Sequence, residues 1–346
     1  MPTEAEIMHA LEQVIDPELG RNLVELKMVK DLVIHKNGDV SFTLALTIPG
    51  CPLKDKIKAD SMAAVRAVPG VKEIEITLGA MSEEERHEAL GSAGRPMPKL
   101  NAFNQVEKVI AVMSGKGGVG KSSVTAMLAM ALANKKKKVG ILDADITGSS
   151  IPKVFGLPPG GLRGSPQGIL PATVATGIKV MSVNLLLDSE DAPVIWRGPM
   201  ISGAIQQFWT DTLWGKLDVL LVDMPPGTSD AALTVMQALP LCGVVLVTTP
   251  QELAAMVVRK VVNMLEQLKI PVLGVVENMS YYCCPDTGKL HEIFGPSHVE
   301  EIAAAAGVSV WSRLPVDPQV TTLCDAGRVE EIEMPEMAEL AARLLA

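Results

Sequence analysis

The sequence predicts an α/β protein, a mostly parallel sheet covered by helices on both faces, preceded by a small α+β domain. Three observations carry that expectation. Short aliphatic runs at 109–114, 139–143, 217–223, 243–249 and 272–277 alternate with helical stretches, the rhythm of buried parallel strands joined by crossover helices. Two of these runs end in an aspartate, Asp143 and Asp223, at the carboxyl edge where open α/β sheets bind ligands. The first 80 residues follow another rhythm, with an Asn37-Gly38 hairpin signal between two alternating runs.

The chain is expected to divide into a domain at 1–80, a linker at 81–104 and a second domain at 105–346. In the first, Thr3 and Glu6 have capping-box spacing and open a helix with Ile7, Leu11 and Val14 on one face. Asp16-Pro17-Glu18-Leu19-Gly20 breaks that helix. Strands are expected at 32–35, 41–47 and 71–78, with a helix to about residue 67. Cys51 stands where a loop runs into that helix, and the N–H groups and dipole there lower a thiol pKa; a buried, inert thiol is the competing reading. The linker is polar, irregular and rich in charge, Gly, Ser and Pro.

Aromatic residues make up only 3% of the 346, so the core is expected to be aliphatic, and the formal net charge of −9 argues against a chain-wide nucleic-acid footprint. No apolar run is long enough for a membrane span, and the start has no secretory signal pattern. Five cysteines do not suggest a disulfide framework. The expectation is a cytoplasmic protein whose partners include neither nucleic acid nor membrane.

The chemistry begins at Gly115-Lys116-Gly117-Gly118-Val119-Gly120-Lys121-Ser122-Ser123. Gly115, Gly120, Lys121 and Ser122 fit the phosphate-loop template, and the order strand, loop, helix is the one its mechanism requires. Glycines let backbone N–H groups converge on phosphate oxygens, and the helix dipole favours the same anion. Lys121 would place a charge near the outer phosphates, and the Ser122 hydroxyl would ligate Mg²⁺. Asp143 and Asp145 could hold Mg²⁺ through water, orient an attacking water, or cap the following turn. Asp223 ends a second apolar run and is expected near Mg²⁺. Gly227 could offer its N–H to a γ-phosphate, and Asn278 could read a purine edge. The lysines at 135–138 fit a helix C-terminus.

Downstream, Tyr281-Tyr282-Cys283-Cys284-Pro285-Asp286-Thr287-Gly288 looks like half of a metal knuckle, although one chain lacks the four thiolates of a closed site. A two-fold dimer would double the supply. Cys242 is expected in the core. Helical residues 336–345 are amphipathic and are expected to dock on the sheet.

Together these motifs resemble a known family. Residues 115–122 resemble the deviant Walker A loop of the MinD/ParA-like ATPases, with Lys116 as the signature lysine. Trp196-Arg197-Gly198-Pro199-Met200, Asp223-Met224-Pro225-Pro226-Gly227-Thr228, Thr249-Pro250-Gln251-Glu252 and Asn278-Met279-Ser280-Tyr281 resemble the Mrp/ApbC branch, ATP-dependent iron–sulfur cluster carriers. Asp16-Pro17-Glu18 and Cys51-Pro52 resemble the PaaD-like domain of iron–sulfur assembly factors.

The resemblance implies a phosphate-loop NTPase fold and a homodimer sandwiching two ATP molecules. It implies catalytic roles for Lys121, for Lys116 acting on the partner's phosphates, and for Asp145 near the attacking water. Asp143 and Asp223 would support Mg²⁺, Gly227 would lie in a switch segment and Asn278 would read adenine. It implies an iron–sulfur cluster, of the 4Fe–4S type, bridged between two chains and passed between scaffold proteins and apo iron–sulfur proteins. Two departures stand out. Thr287 occupies the second cysteine position of the family's C-P-x-C motif, leaving Cys284 with the neighbouring Cys283 as candidate ligands. Val257 stands where many relatives carry Asp. Two rival readings are a MinD/ParA-type switch that positions a partner without a cluster, motivated by Thr287, and a nucleotide-dependent kinase or synthetase.

Overall fold

The computed structural model describes residues 2–16, 21–35, 37–46, 54–81, 100–189 and 198–346, with 198–199 and 252–256 described by backbone alone. Cys51, the 17–20 and 190–197 segments and most of the expected linker lie outside the described residues. Contacts group the chain into two compact units, Met1–Arg95 and Pro96–Ala346.

In the first unit, α1 (Glu4–Leu11) starts at a complete capping box: Thr3 accepts from the Glu6 N–H while the Glu6 carboxylate accepts from the Thr3 N–H. Strands β1 (Val29–Ile34) and β2 (Val40–Leu46) pair antiparallel around the Asn37-Gly38 turn, where Gly38 takes the left-handed φ of +93° that the turn demands. After α2 (Lys54–Arg66), β3 (Ile74–Ala80) pairs parallel with β2. Ile7, Leu11, Leu44, Ile57 and Val65 close its core.

The second unit runs β4 (Gln105–Ser114), α3 (Lys121–Asn134), β5 (Val139–Asp143), β6 (Ala172–Thr173), β7 (Lys179–Met181), α4 (Gly198–Thr210), β8 (Lys216–Asp223), α5 (Asp230–Ala238), β9 (Gly243–Thr248), α6 (Glu252–Gln267), β10 (Val272–Cys283), β11 (Leu290–His291), β12 (Val310–Pro315) and α7 (Pro335–Leu345), with smaller elements between. The sheet order is β11-β10-β9-β4-β8-β5-β7-β6, with β12 also on β10. The pairings are parallel except those of the two short strands β6 and β11.

Alternation along β4 shows why both faces are covered. Ala111 and Met113 join one apolar cluster with Ile205, Phe208, Val235 and Val261 of α4, α5 and α6. Ile110 and Val112 join the other, with Leu128 and Leu132 of α3 and Leu340 of α7. The C-terminal helix thus docks as expected. Cys242 is exposed, contrary to expectation: its N–H enters the sheet by bonding the Val109 carbonyl, but its side chain points to solvent. Strand β10 is twice the expected 272–277 and continues into a ribbon with β11. Among the described residues, no helix is long and apolar enough to cross a membrane.

Candidate nucleotide site and cysteine ribbon

The phosphate loop spans the gap between β4 and α3. Gly118 and Gly120 have φ of +81° and +78°, where a side chain would be strained, and a Cβ on Gly120 would collide with the Asn278 amide. Gly120 is also the N-cap of α3 and brings no side-chain cap, so the first N–H groups of the helix are left for an anion. Neighbours hold the loop from three sides. Asn278 Nδ2 donates to the Val119 carbonyl at 2.9 Å, Ser114 Oγ donates to the Lys116 carbonyl at 3.0 Å, and the Gly227 N–H donates to the Ser114 carbonyl at 2.8 Å. Asn278 and Gly227 therefore bond the loop itself. Contact of Gly227 with a phosphate requires its bond to Ser114 to open. Lys116 is exposed at the loop.

Below the loop the sheet brings its acids together. Asp143 and Asp223 are direct neighbours in the register of β5 and β8. Lys121 Nζ lies 2.8 Å from Asp223 Oδ1 and 3.8 Å from Asp145 Oδ2. Ser122 Oγ donates to Asp223 Oδ2 at 2.6 Å, and Thr125 Oγ1 to its Oδ1 at 2.9 Å. Ser149 and Ser182 donate to Asp143 Oδ2 at 2.6 and 3.1 Å. Asp145 accepts from the Gly148 N–H at 3.2 Å, so it does cap its turn while facing Lys121.

One buried lysine thus faces three carboxylates. Burial first, then the Asp223 charge, pushes the Asp143 carboxyl up to about 7 against the opposing pull of Ser149 and Lys121. Burial also raises Asp145, with Lys121 opposing. The donors suit a hard divalent cation: the Ser122 hydroxyl and the neighbouring carboxylates are all oxygen. Among the described residues no group of three or more His, Cys, Asp or Glu could by itself hold a metal ion.

Sequence reading missed Thr125, which donates to Asp223, and Ser149 and Ser182, which donate to Asp143. Their spacing carried no signal. It also passed over Glu277, although this residue ends an aliphatic run just as Asp143 and Asp223 do. Glu277 is wholly buried and accepts from Ser280 and Ser297. Val257 packs beside Gly115, where an added Cβ would lie 3.2 Å from its own.

At the far end of β10 the cysteines sit in a two-stranded ribbon. Tyr282 pairs with His291 and Cys283 with Leu290. The Gly288 N–H bonds the Cys284 carbonyl at 2.8 Å and closes the turn. The Thr287 hydroxyl first, then the Thr287 and Asp286 N–H groups, pull the Cys284 thiol below its ordinary pKa, which favours the thiolate. Cys283 is exposed, and Leu290, Ile293 and Phe294 leave apolar surface nearby.

The family model for NUBPL iron-transfer P-loop NTPases matches residues 105–345. The chain belongs to that family. A second model, for iron–sulfur cluster assembly proteins, matches residues 4–77. A Synechocystis protein named as an iron–sulfur cluster carrier protein is 40% identical over 346 residues, covering 99% of this chain and 95% of its own. A solved Archaeoglobus fulgidus nucleotide-binding protein in complex with ADP is 47% identical, with a TM-score of 0.60, over 67% of this chain and 90% of its own. The Aquifex aeolicus cell division protein MinD, at 20% identity and a TM-score of 0.50 over 69% of this chain and 96% of its own, shares the fold. The expected family and fold are therefore found.

Proposed function

We propose that this chain is an ATP-hydrolysing iron–sulfur cluster carrier that works as a homodimer and delivers clusters to apoproteins. The observation that carries the reading is the path of β10: one strand holds the phosphate loop through Asn278 and ends at Cys283, with Cys284 next in the chain. Membership in an iron-transfer NTPase family, and a relative named as a cluster carrier along nearly its whole length, support the cargo.

In this reading ATP is held by the loop amides from Gly115, Gly117, Gly118, Val119 and Gly120 through Ser123, and Lys121 leaves Asp223 for the phosphates. Mg²⁺ would be held by Ser122, with Asp223 and Asp143 supporting it, and would neutralise developing phosphate charge. Asp145 orients the attacking water, and Lys116 from the second copy supplies the outer charge, as an arginine finger does. With the cation bound, the Ser122 hydroxyl that donates to Asp223 would serve the cation instead, and the Asp223 carboxylate would be free to support it.

The cluster is cargo. One chain brings Cys284 with its neighbour Cys283, and a cluster of the 4Fe–4S type takes four thiolates, so two copies are needed. The lowered pKa of Cys284, to which its own turn contributes through Thr287 and Asp286, favours the thiolate that a cluster would take. Anaerobic reconstitution with iron and sulfide should produce charge-transfer absorption that Cys284→Ala abolishes. Absence of that absorption in the wild-type protein, with ATP turnover intact, would overturn the carrier reading.

A further inference from the structure

We propose that Arg313 is a positioning residue that ties the nucleotide loop to the cysteine ribbon. The proposal rests on the reading above, that one end of β10 serves a nucleotide and the other a cluster.

Strand β10 is built in three sections. Its pairing with β12 slips once between Val275 and Val276, breaks again between Glu277 and Tyr281, and resumes at Tyr281. The break holds Asn278, Met279 and Ser280, and Met279 adopts a φ of +55°, rare for a residue with a side chain. A bulge of this kind re-aims side chains, and here it turns two of them onto the loop. Asn278 bonds the Val119 carbonyl, and Met279 Cε lies 3.6 Å from where a Cβ on Gly120 would stand.

A single guanidinium spans the break. Arg313 Nε lies 2.9 Å from Ser280 Oγ and 3.3 Å from the buried Glu277 carboxylate, and its Nη2 lies 3.8 Å from Glu292, the residue that follows β11. Glu277 also receives the hydroxyls of Ser280 at 2.5 Å and Ser297 at 2.8 Å. Burying a carboxylate at the end of an aliphatic strand is costly, and apolar side chains of similar volume generally hold such a place at least as well. What the charged cluster adds is one fixed geometry. It locks a strained bulge on the nucleotide side and reaches the base of the ribbon on the other. A shift of the loop on nucleotide binding moves Asn278, and with it Ser280 and Glu277. Arg313 carries that shift to Glu292 and so changes the exposure of Cys284.

The test is peptide-resolved alkylation of Cys284 by iodoacetamide in the full-length, cluster-free protein, with and without a non-hydrolysable ATP analogue and Mg²⁺. In wild type the analogue changes the rate roughly fivefold or more, the lower range of ordinary allosteric coupling. Glu277→Gln/Arg313→Leu removes both charges together and leaves no buried charge unpaired; it binds the analogue normally but brings the rate ratio to near one. Arg313→Lys keeps the charge without the span and falls between. Glu292→Gln, on the surface, lowers the ratio without touching the buried pair, and it decides the matter if the double variant fails to fold. An unchanged ratio in the variants, or no ratio in wild type, overturns the proposal. Iron content does not enter this measurement. A flat ratio with normal iron overturns the relay alone, and a nucleotide-dependent ratio without iron overturns the cargo alone.

Discussion

The phosphate loop and the cysteine ribbon belong to the same sheet but are built by opposite rules. Around the loop, Lys121, Asp143 and Asp223 are buried and partnered, and the Asn278 amide packs where a side chain on Gly120 would stand. Around the ribbon, Cys283, Leu290, Ile293 and Phe294 are exposed and only Cys284 is organised, by donors from its own turn. Under the proposed function the first site needs from a second copy only Lys116, which is exposed, and the second needs that copy's thiolates as well. Nucleotide binding would then be a property of the chain, and cluster binding a property of the pair.

The largest effect should come from Lys121→Ala. It removes the one buried cation facing three carboxylates and the charge that meets the phosphates. ATP binding by calorimetry and ATP turnover should both fall by roughly a hundredfold or more, while iron loading of the ribbon stays near wild type. Equal loss of iron would break the separation of the two sites. Lys116→Ala comes next. If the lysine acts across the dimer, turnover should fall by roughly a hundredfold or more while the ATP dissociation constant stays within about threefold. Equal loss of binding would make Lys116 part of its own chain's loop.

The next effect is on pH. The folded carboxyl of Asp143 is raised to about 7, above the roughly 3.9 of an unfolded aspartate. Between those values the folded chain keeps a proton that the unfolded chain releases, so this group's contribution to stability is present at low pH and lost as pH rises through about 7. Asp143→Asn should flatten the pH dependence of urea unfolding of the ligand-free protein between about pH 4 and pH 7. An unchanged slope would mean that the burial does not govern this carboxylate. The smallest effect should be that of Thr287→Cys. Thr287 shares the turn of Cys284 and lowers its pKa, so a thiol there should slow cluster loss to a chelator several-fold. No change would remove position 287 from the ligand surroundings.

The contrast also explains what the sequence could reveal. The loop was legible because strand, glycine turn and helix are contiguous, and the acids were legible because they end aliphatic runs. Membership in an iron-transfer NTPase family and the doubly covered sheet follow from those same segments. The partners of the acids were not legible. Ser149 and Ser182 reach Asp143 from separate loops, and Arg313 meets Glu277 across 36 positions with no spacing rule to join them. The length of β10 was hidden by its bulge, since Asn278 and Met279 interrupt the aliphatic pattern while the strand resumes beyond them. Cys242 misled because an apolar neighbourhood in sequence says nothing of which way one side chain points at a strand's start.

The most direct test of the central claim is anaerobic native mass spectrometry of the reconstituted protein and of Cys284→Ala. The account predicts a wild-type species at twice the chain mass plus one iron–sulfur cluster, absent from the Cys284→Ala protein, with ATP bound by both. A cluster on the single chain, or a cluster-bearing dimer that survives Cys284→Ala, would contradict it.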